Sequence, residues 1–420
     1  MKDTICLLND SFPPLIDGVS NTVVNYAKEL PRYGYQPMVI TPSHTDANDA
    51  LFPYPIARYP SLSTDRFEGY PAGVPFSPEV AAMVKSHPVS VLHSHCPIMS
   101  TFMARQLRQI TDVPIILTYH SKFDVDIDKI VKHEPLRAAC KKALSSNIAA
   151  CDEVWVVSQG AGENLRRLGY IGDYLVMPNG VDMPLGKAPD SDIAAATNGY
   201  DLPANVPVYL FVGRMMWYKG LRLILDSLSC LKANGNSFRM VFIGGGEDMQ
   251  AVQAYAAQCG IQDRCIFTGP IHDRAVLRAW YGRADLLLFP STYDTNGLVV
   301  REAAASGVAA VLIKDSCAAE GILHGRNGYL ITESADEMSL LLQSLSMEQM
   351  HCVGEFAAKE IYLSWHDAIK LAAERYAIVI DRYKSGLYTR KRTPSEGFMR
   401  LNGEMMEWLS IVRKHIKRVE

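Results

Sequence analysis

Short apolar runs recur along the chain and alternate with segments of helical period. In the first half the runs fall at residues 5–8, 37–40, 90–92, 114–117, 153–157 and 174–177. Several are apolar at successive positions, the pattern of strands covered on both faces. Between them, residues 21–30 and 136–149 space their apolar positions as amphipathic helices do. This alternation predicts an α/β fold with a doubly wound, mostly parallel sheet. It breaks over residues 184–206, where Pro184, Pro189 and Pro203 interrupt a stretch without strong period. That stretch reads as a linker. The alternation then restarts at 208–212, 239–243, 265–268, 286–289, 309–313 and 329–331.

The expected organisation is therefore two Rossmann-like domains, 1–183 and 207–363, with the linker between them. Residues 364–386 read as a helix that packs back on the N-terminal domain, and 387–420 as a basic amphipathic tail. The tail holds eight Lys or Arg against four Glu, and Trp408, Leu409, Val412 and Ile416 are expected to share one helix face. Open α/β sheets bind ligands outside the carboxyl ends of their strands, so a ligand cleft between the two domains is expected.

A chain of 420 residues fits two domains, and 48% apolar residues supply core for both. The net charge of -3 gives no reason to expect nucleic acid as a partner. No apolar run is long enough to span a bilayer, and the first residues do not form a signal peptide. Nine cysteines without a Cys-x-x-Cys pair point to reduced thiols, and hence to a cytoplasmic protein without a zinc site.

Two segments carry chemistry. Gly213-Arg214-Met215-Met216-Trp217-Tyr218-Lys219-Gly220 follows a strand and precedes a helix. Two cations at such a turn suit a bound diphosphate, although a solvated basic loop reads the same way. The second segment runs from Pro290 to Gly307, with seven residues between Asp294 and Glu302. A helix opening near Asn296 would point free N–H groups at an anion. Glu302 then falls about two turns along it. A carboxylate there can accept hydrogen bonds from sugar hydroxyls. Taken alone, the two acids also fit a plain surface helix.

The order of these segments resembles the family-4 type of retaining glycosyltransferases, whose fold, GT-B, faces two Rossmann-like domains. Gly244-Gly245-Gly246-Glu247 and Phe267-Thr268-Gly269 fall between them in the family's order. In the first half, the loop from Asp10 to Ser20 resembles the family's first glycine loop. His93-Ser94-His95, Thr118-Tyr119-His120-Ser121 and Pro178-Asn179-Gly180-Val181-Asp182 match further motifs. The resemblance covers residues 3–383.

The resemblance implies that Arg214 and Lys219 hold the diphosphate and Glu302 the ribose. It implies that the backbone from Gly269 to Ile271 reads the base. Asp294, with the amides of Asn296, Gly297, Leu298 and Val299, would hold the transferred sugar and a phosphate. His120 would orient the sugar hydroxyls, and Gly18 would let the first loop approach the donor. The family's first acid is usually Glu; here it is Asp294, which leaves the donor sugar open.

The implied activity is metal-independent transfer of a hexose from a UDP- or GDP-sugar, with retention. That sugar nucleotide is a substrate, and no cofactor or metal is expected. The two Asp-x-Asp triplets of residues 124–128 lie in the half without the diphosphate cations, which argues against a metal site there. Residues 119–124 resemble transferases that glucosylate diacylglycerol. With Lys129, Lys132, Arg137, Lys141 and Lys142, they suggest a membrane lipid acceptor and a peripheral place on the inner face of the membrane. Three alternatives stay open: a soluble transferase acting on a small polar acceptor, a catalytically silent sugar-nucleotide-binding module, and a GT-B hydrolase or epimerase for nucleotide sugars.

Overall fold

The computed structural model describes residues 2–15, 17–62, 70–388 and 395–416; the side chains of residues 126, 129 and 412–416 lie outside that description. Every apolar run in the sequence forms a strand; most are buried at their centre, while Leu175–Val176 is exposed and Cys265–Gly269 half-buried. The chain divides into one unit of residues 1–179 and 365–420, and a second of residues 180–364.

The first unit is built on a seven-stranded parallel sheet. Its spatial order is Ile56–Tyr59, Gln36–Pro42, Thr4–Leu8, Val89–Ser94, Ile115–Tyr119, Glu153–Val156 and Leu175–Val176. The strand Ile56–Tyr59 was not expected. Its Ile-Ala-Arg-Tyr pattern alternates instead of running apolar, and prolines flank it. An edge strand has one open side and tolerates both features.

The helix Trp365–Lys384 belongs to this unit. Its buried Tyr376 bonds His93, and Arg375 forms a two-pronged pair with Glu153. The segment expected to be a basic amphipathic tail is docked on this unit over its described residues. The helix Glu396–Ile416 packs on the helices Pro78–Lys85 and Met99–Thr111, burying Met399 and Met406 completely. Gly403 lets it close in: a Cβ there would lie 2.9 Å from the carbonyl oxygen of Gln106. Arg105, itself buried, donates to Ser395 and Glu396. On the outer side Phe398, Leu401, Met405 and Trp408 are exposed, so the apolar outer face starts at Phe398, about three turns before the expected Trp408. Leu409 is half-buried, and the side chains of Val412 and Ile416 lie outside the described residues.

The second unit carries a six-stranded parallel sheet in the order Cys265–Gly269, Arg239–Ile243, Val208–Val212, Leu286–Phe289, Ala309–Ile313 and Tyr329–Ile331. The residues expected to be a linker are packed into this unit. They include the short helix Asp190–Ala196, whose Ile193 is buried with Ala279. Among the described residues no helix is long and apolar enough to cross a membrane.

Candidate active site

In the second unit the strand order reverses at Val208–Val212, which has Arg239–Ile243 on one side and Leu286–Phe289 on the other. Ligands of open parallel sheets bind outside the carboxyl ends at such a reversal. The two loops leaving these central strands are the two chemical segments of the sequence. Gly220 joins them. It adopts a left-handed backbone, φ 79°, and a Cβ there would lie 2.4 Å from the carbonyl oxygen of Pro290. Any other residue would force the loops apart.

The two loops bring Lys219 and Asp294 together. Lys219 ends a short 3₁₀ turn, is 9% exposed, and donates from Nζ to Asp294 Oδ2 at 2.7 Å. The rings of Tyr218, Phe289 and Tyr293 surround the ammonium at 5.6–5.9 Å from their centroids. Arg214 stands exposed on the same loop, with no ion pair among the described residues. Just beyond Asp294, Gly297 caps the helix Leu298–Ala305, whose first N–H groups need outside acceptors. The Nδ2 of Asn296 is also buried there, without a hydrogen-bond partner among the described residues. A buried amide donor left unpaired costs about 1–3 kcal/mol, which a ligand oxygen would relieve.

Glu302 lies on the second turn of that helix, 9% exposed. Its Oε1 accepts from Arg274 Nη2 at 2.6 Å, and its Oε2 from the Tyr281 hydroxyl at 2.9 Å. Neither partner was singled out in the sequence. Arg274 and Tyr281 are seven residues apart on the helix Arg274–Arg283 and so share a face, but that spacing alone does not point to Glu302. Gly269 ends its strand with φ 74°, and Ile271 is half-buried against the core of this unit. The glycines at 244–246 have a packing role. A Cβ on Gly244 would lie 1.9 Å from Gly213 O, so they let one loop nest beneath the other.

Gly18 and His120 belong to the first unit. Gly18 starts the helix Gly18–Glu29, capped by Asp17 through the amides of Val19 and Ser20, both at 2.7 Å. No described atom lies within 4 Å of a Cβ placed on Gly18, so packing alone does not require glycine there. His120 follows the strand Ile115–Tyr119 and is buried. Its Nε2 lies 3.1 Å from His95 Nδ1, with the two rings stacked. Burial pushes the His120 imidazole down to about 3, so it is neutral at physiological pH. Two of the three triplet acids are engaged locally: Asp124 accepts from Asn164, and Asp128 pairs with Lys141 at 2.7 Å. Arg137 pairs with Glu134 at 2.7 Å, so two of the five cations expected to meet lipid headgroups already have acids beside them.

The description "Glycosyltransferase Family 4" matches residues 16–184, and "Glycosyl transferases group 1" matches residues 193–353. The chain is 25% identical over 334 residues to a GDP-mannose-dependent alpha-mannosyltransferase of Corynebacterium glutamicum, covering 78% of this chain and 76% of that protein. It is 22% identical over 311 residues to an alpha-monoglucosyldiacylglycerol synthase of Streptococcus pneumoniae, covering 72% and 69%. Among solved structures, Anabaena HepE in complex with UDP and glucose superposes with a TM-score of 0.68 at 18% identity, covering 89% of this chain and 99% of that one.

Proposed function

The chain belongs to the family-4-type glycosyltransferases of the GT-B fold, and on that premise we propose that it moves a hexose from a UDP- or GDP-sugar to an acceptor hydroxyl with retention and without a metal. One observation carries the reading. A buried ammonium, Lys219, sits against Asp294 beside a helix N-terminus, where the two central strands of the second unit release their loops. The departing nucleoside diphosphate gains charge on its β-phosphate in the transition state. Lys219, Arg214 and the amides from Asn296 to Val299 are donors fixed to receive that charge. Asp294 is the counter-ion of Lys219 in the ligand-free site and turns to the sugar when the diphosphate takes its place.

Retention follows if the acceptor hydroxyl attacks the face from which the diphosphate leaves and a phosphate oxygen takes its proton. His120 is neutral and already bonded to His95, which favours a hydrogen-bonding role toward the sugar over proton transfer. Two cations already supply the charge that Mg²⁺ would bring. Turnover is therefore expected to survive EDTA. Loss on chelation with recovery on adding Mg²⁺ or Mn²⁺ would overturn the metal-free route.

Glu302 is proposed to accept from the ribose hydroxyls, with the backbone from Gly269 to Ile271 along the base. Glu302→Ala is expected to weaken binding of the nucleoside diphosphate by about 1–3 kcal/mol, read by calorimetry. Unchanged affinity would assign Glu302 to the fold alone.

For the acceptor we favour a membrane lipid, met by a cytoplasmic enzyme at the inner face of the membrane. The exposed Phe398, Leu401, Met405 and Trp408 support this, since aromatic and aliphatic side chains on one helix face suit the bilayer interface. A panel of diacylglycerol vesicles and free sugars, with products identified by mass spectrometry, separates this reading from a small polar acceptor. A protein that binds the nucleotide yet transfers to neither is the silent binding module.

A further inference from the structure

We infer that Tyr281, with Arg274, is a positioning residue for the nucleoside: it fixes the Glu302 carboxylate so that its remaining lone pairs face the ribose. The inference rests on the proposed role of Glu302. A glutamate at the second turn of a helix is ordinarily free to choose among rotamers, and ordering it on ligand binding costs up to about 2 kcal/mol. Here the choice is made before any ligand arrives. Each carboxylate oxygen already accepts one hydrogen bond, 2.6 Å from Arg274 and 2.9 Å from Tyr281. A carboxylate offers about four acceptor positions, so two remain. Two acceptors on one planar group suit two neighbouring hydroxyls.

The two partners differ in kind. Tyr281 is fully buried, and its hydroxyl has one donor proton, which Glu302 takes. Burial first, and then the Glu302 charge, hold this phenol well above its ordinary range, so it stays a donor at every working pH. Arg274 is half-exposed and is itself steadied by the carbonyl of Asp182 at 3.3 Å. Both sit on the helix Arg274–Arg283, whose N-cap is Asp273, two residues beyond Ile271. One rigid element thus follows the proposed base-reading backbone and carries both anchors of the proposed ribose acceptor. A carboxylate serving only the fold would be satisfied by the same two bonds, and the experiment must separate the two roles.

Calorimetric titration of the full chain with UDP, GDP and their 2′-deoxy analogues does so. The wild-type protein is expected to bind the better ribonucleotide about tenfold more tightly than its 2′-deoxy form. Tyr281→Phe keeps the ring and removes the hydroxyl. It is expected to weaken the ribonucleotide about five- to twentyfold while shrinking the ribo-to-deoxy preference to under about threefold, because both changes damage one contact. Arg274→Gln carries the same comparison on a half-exposed position and is read in the same way if Tyr281→Phe does not fold. A folded variant with the full wild-type preference, whether or not affinity falls overall, would overturn the inference. If the wild-type protein itself does not distinguish ribose from deoxyribose, or Glu302→Ala binds normally, the reading of Glu302 fails instead.

Discussion

Lys219→Ala is expected to lower turnover about 10²–10³-fold, or roughly 2.7–4 kcal/mol of activation free energy, the usual cost of deleting one fixed donor to developing charge. The size follows from where the ammonium sits. It is nearly buried, ringed by Tyr218, Phe289 and Tyr293, and held 2.7 Å from one carboxylate oxygen. In such a site charge is weakly screened, so the departing phosphate feels it strongly. Removing Lys219 also leaves Asp294 free to rehydrate, because that side chain is 24% exposed. The loss is therefore expected chiefly in kcat, with thermal stability near wild type. Steady-state kinetics on a variant with unchanged circular dichroism checks this. Near-normal kcat would remove Lys219 from the diphosphate.

The second large effect is acid lability of the first unit. His93, His95 and His120 form a contiguous row of buried imidazoles, with ring centroids 4.1 and 5.3 Å apart. Tyr26, Trp155 and Tyr376 close around them. Burial holds all three well below the ordinary histidine value; the neighbouring imidazoles add to the effect on His93 and His95. The sign is then fixed. Above about pH 6.5 neither the folded nor the unfolded chain protonates them, so stability is independent of these groups. As pH falls below that value the unfolded chain takes up protons that the folded one refuses, and stability is lost down toward the folded values. Between pH 7 and pH 5 each imidazole costs about 2 kcal/mol, roughly 6 for three, comparable with the whole stability of a domain. Most carboxylates titrate below this window. Calorimetric unfolding near pH 6 in buffers of different ionisation enthalpy is expected to show uptake of about two protons. A melting temperature that stays level from pH 7 to pH 5 would show that the row is hydrated or charged.

The central strands were legible because they are covered on both faces. Val208–Val212, Arg239–Ile243, Leu286–Phe289 and Ala309–Ile313 fall where the apolar runs lie. The edge strand Ile56–Tyr59 has one open side and no such run to betray it. The charge pattern of residues 387–420 marked a basic amphipathic segment without saying where it docks. What ties the segment down is a few small contacts, buried Met399 and Met406 and the bare backbone of Gly403, which composition does not display. Likewise Lys219 and Asp294 are 75 residues apart, and only the strand order makes them neighbours. The residues that orient Glu302 sit on a helix with no motif. A hydrogen bond from Tyr281 to a carboxylate 21 positions away leaves no periodic trace.

The most direct measurement is the anomeric configuration of the product. Chelated, purified protein would be given isotope-labelled α-configured UDP- and GDP-sugars with lipid vesicles and free sugars as acceptors, and the product read by NMR. One equivalent of nucleoside diphosphate released for each new α-glycoside is the expected result. A β-glycoside would contradict attack on the leaving face. Free sugar as the only product would show that the site hydrolyses its donor instead of transferring from it.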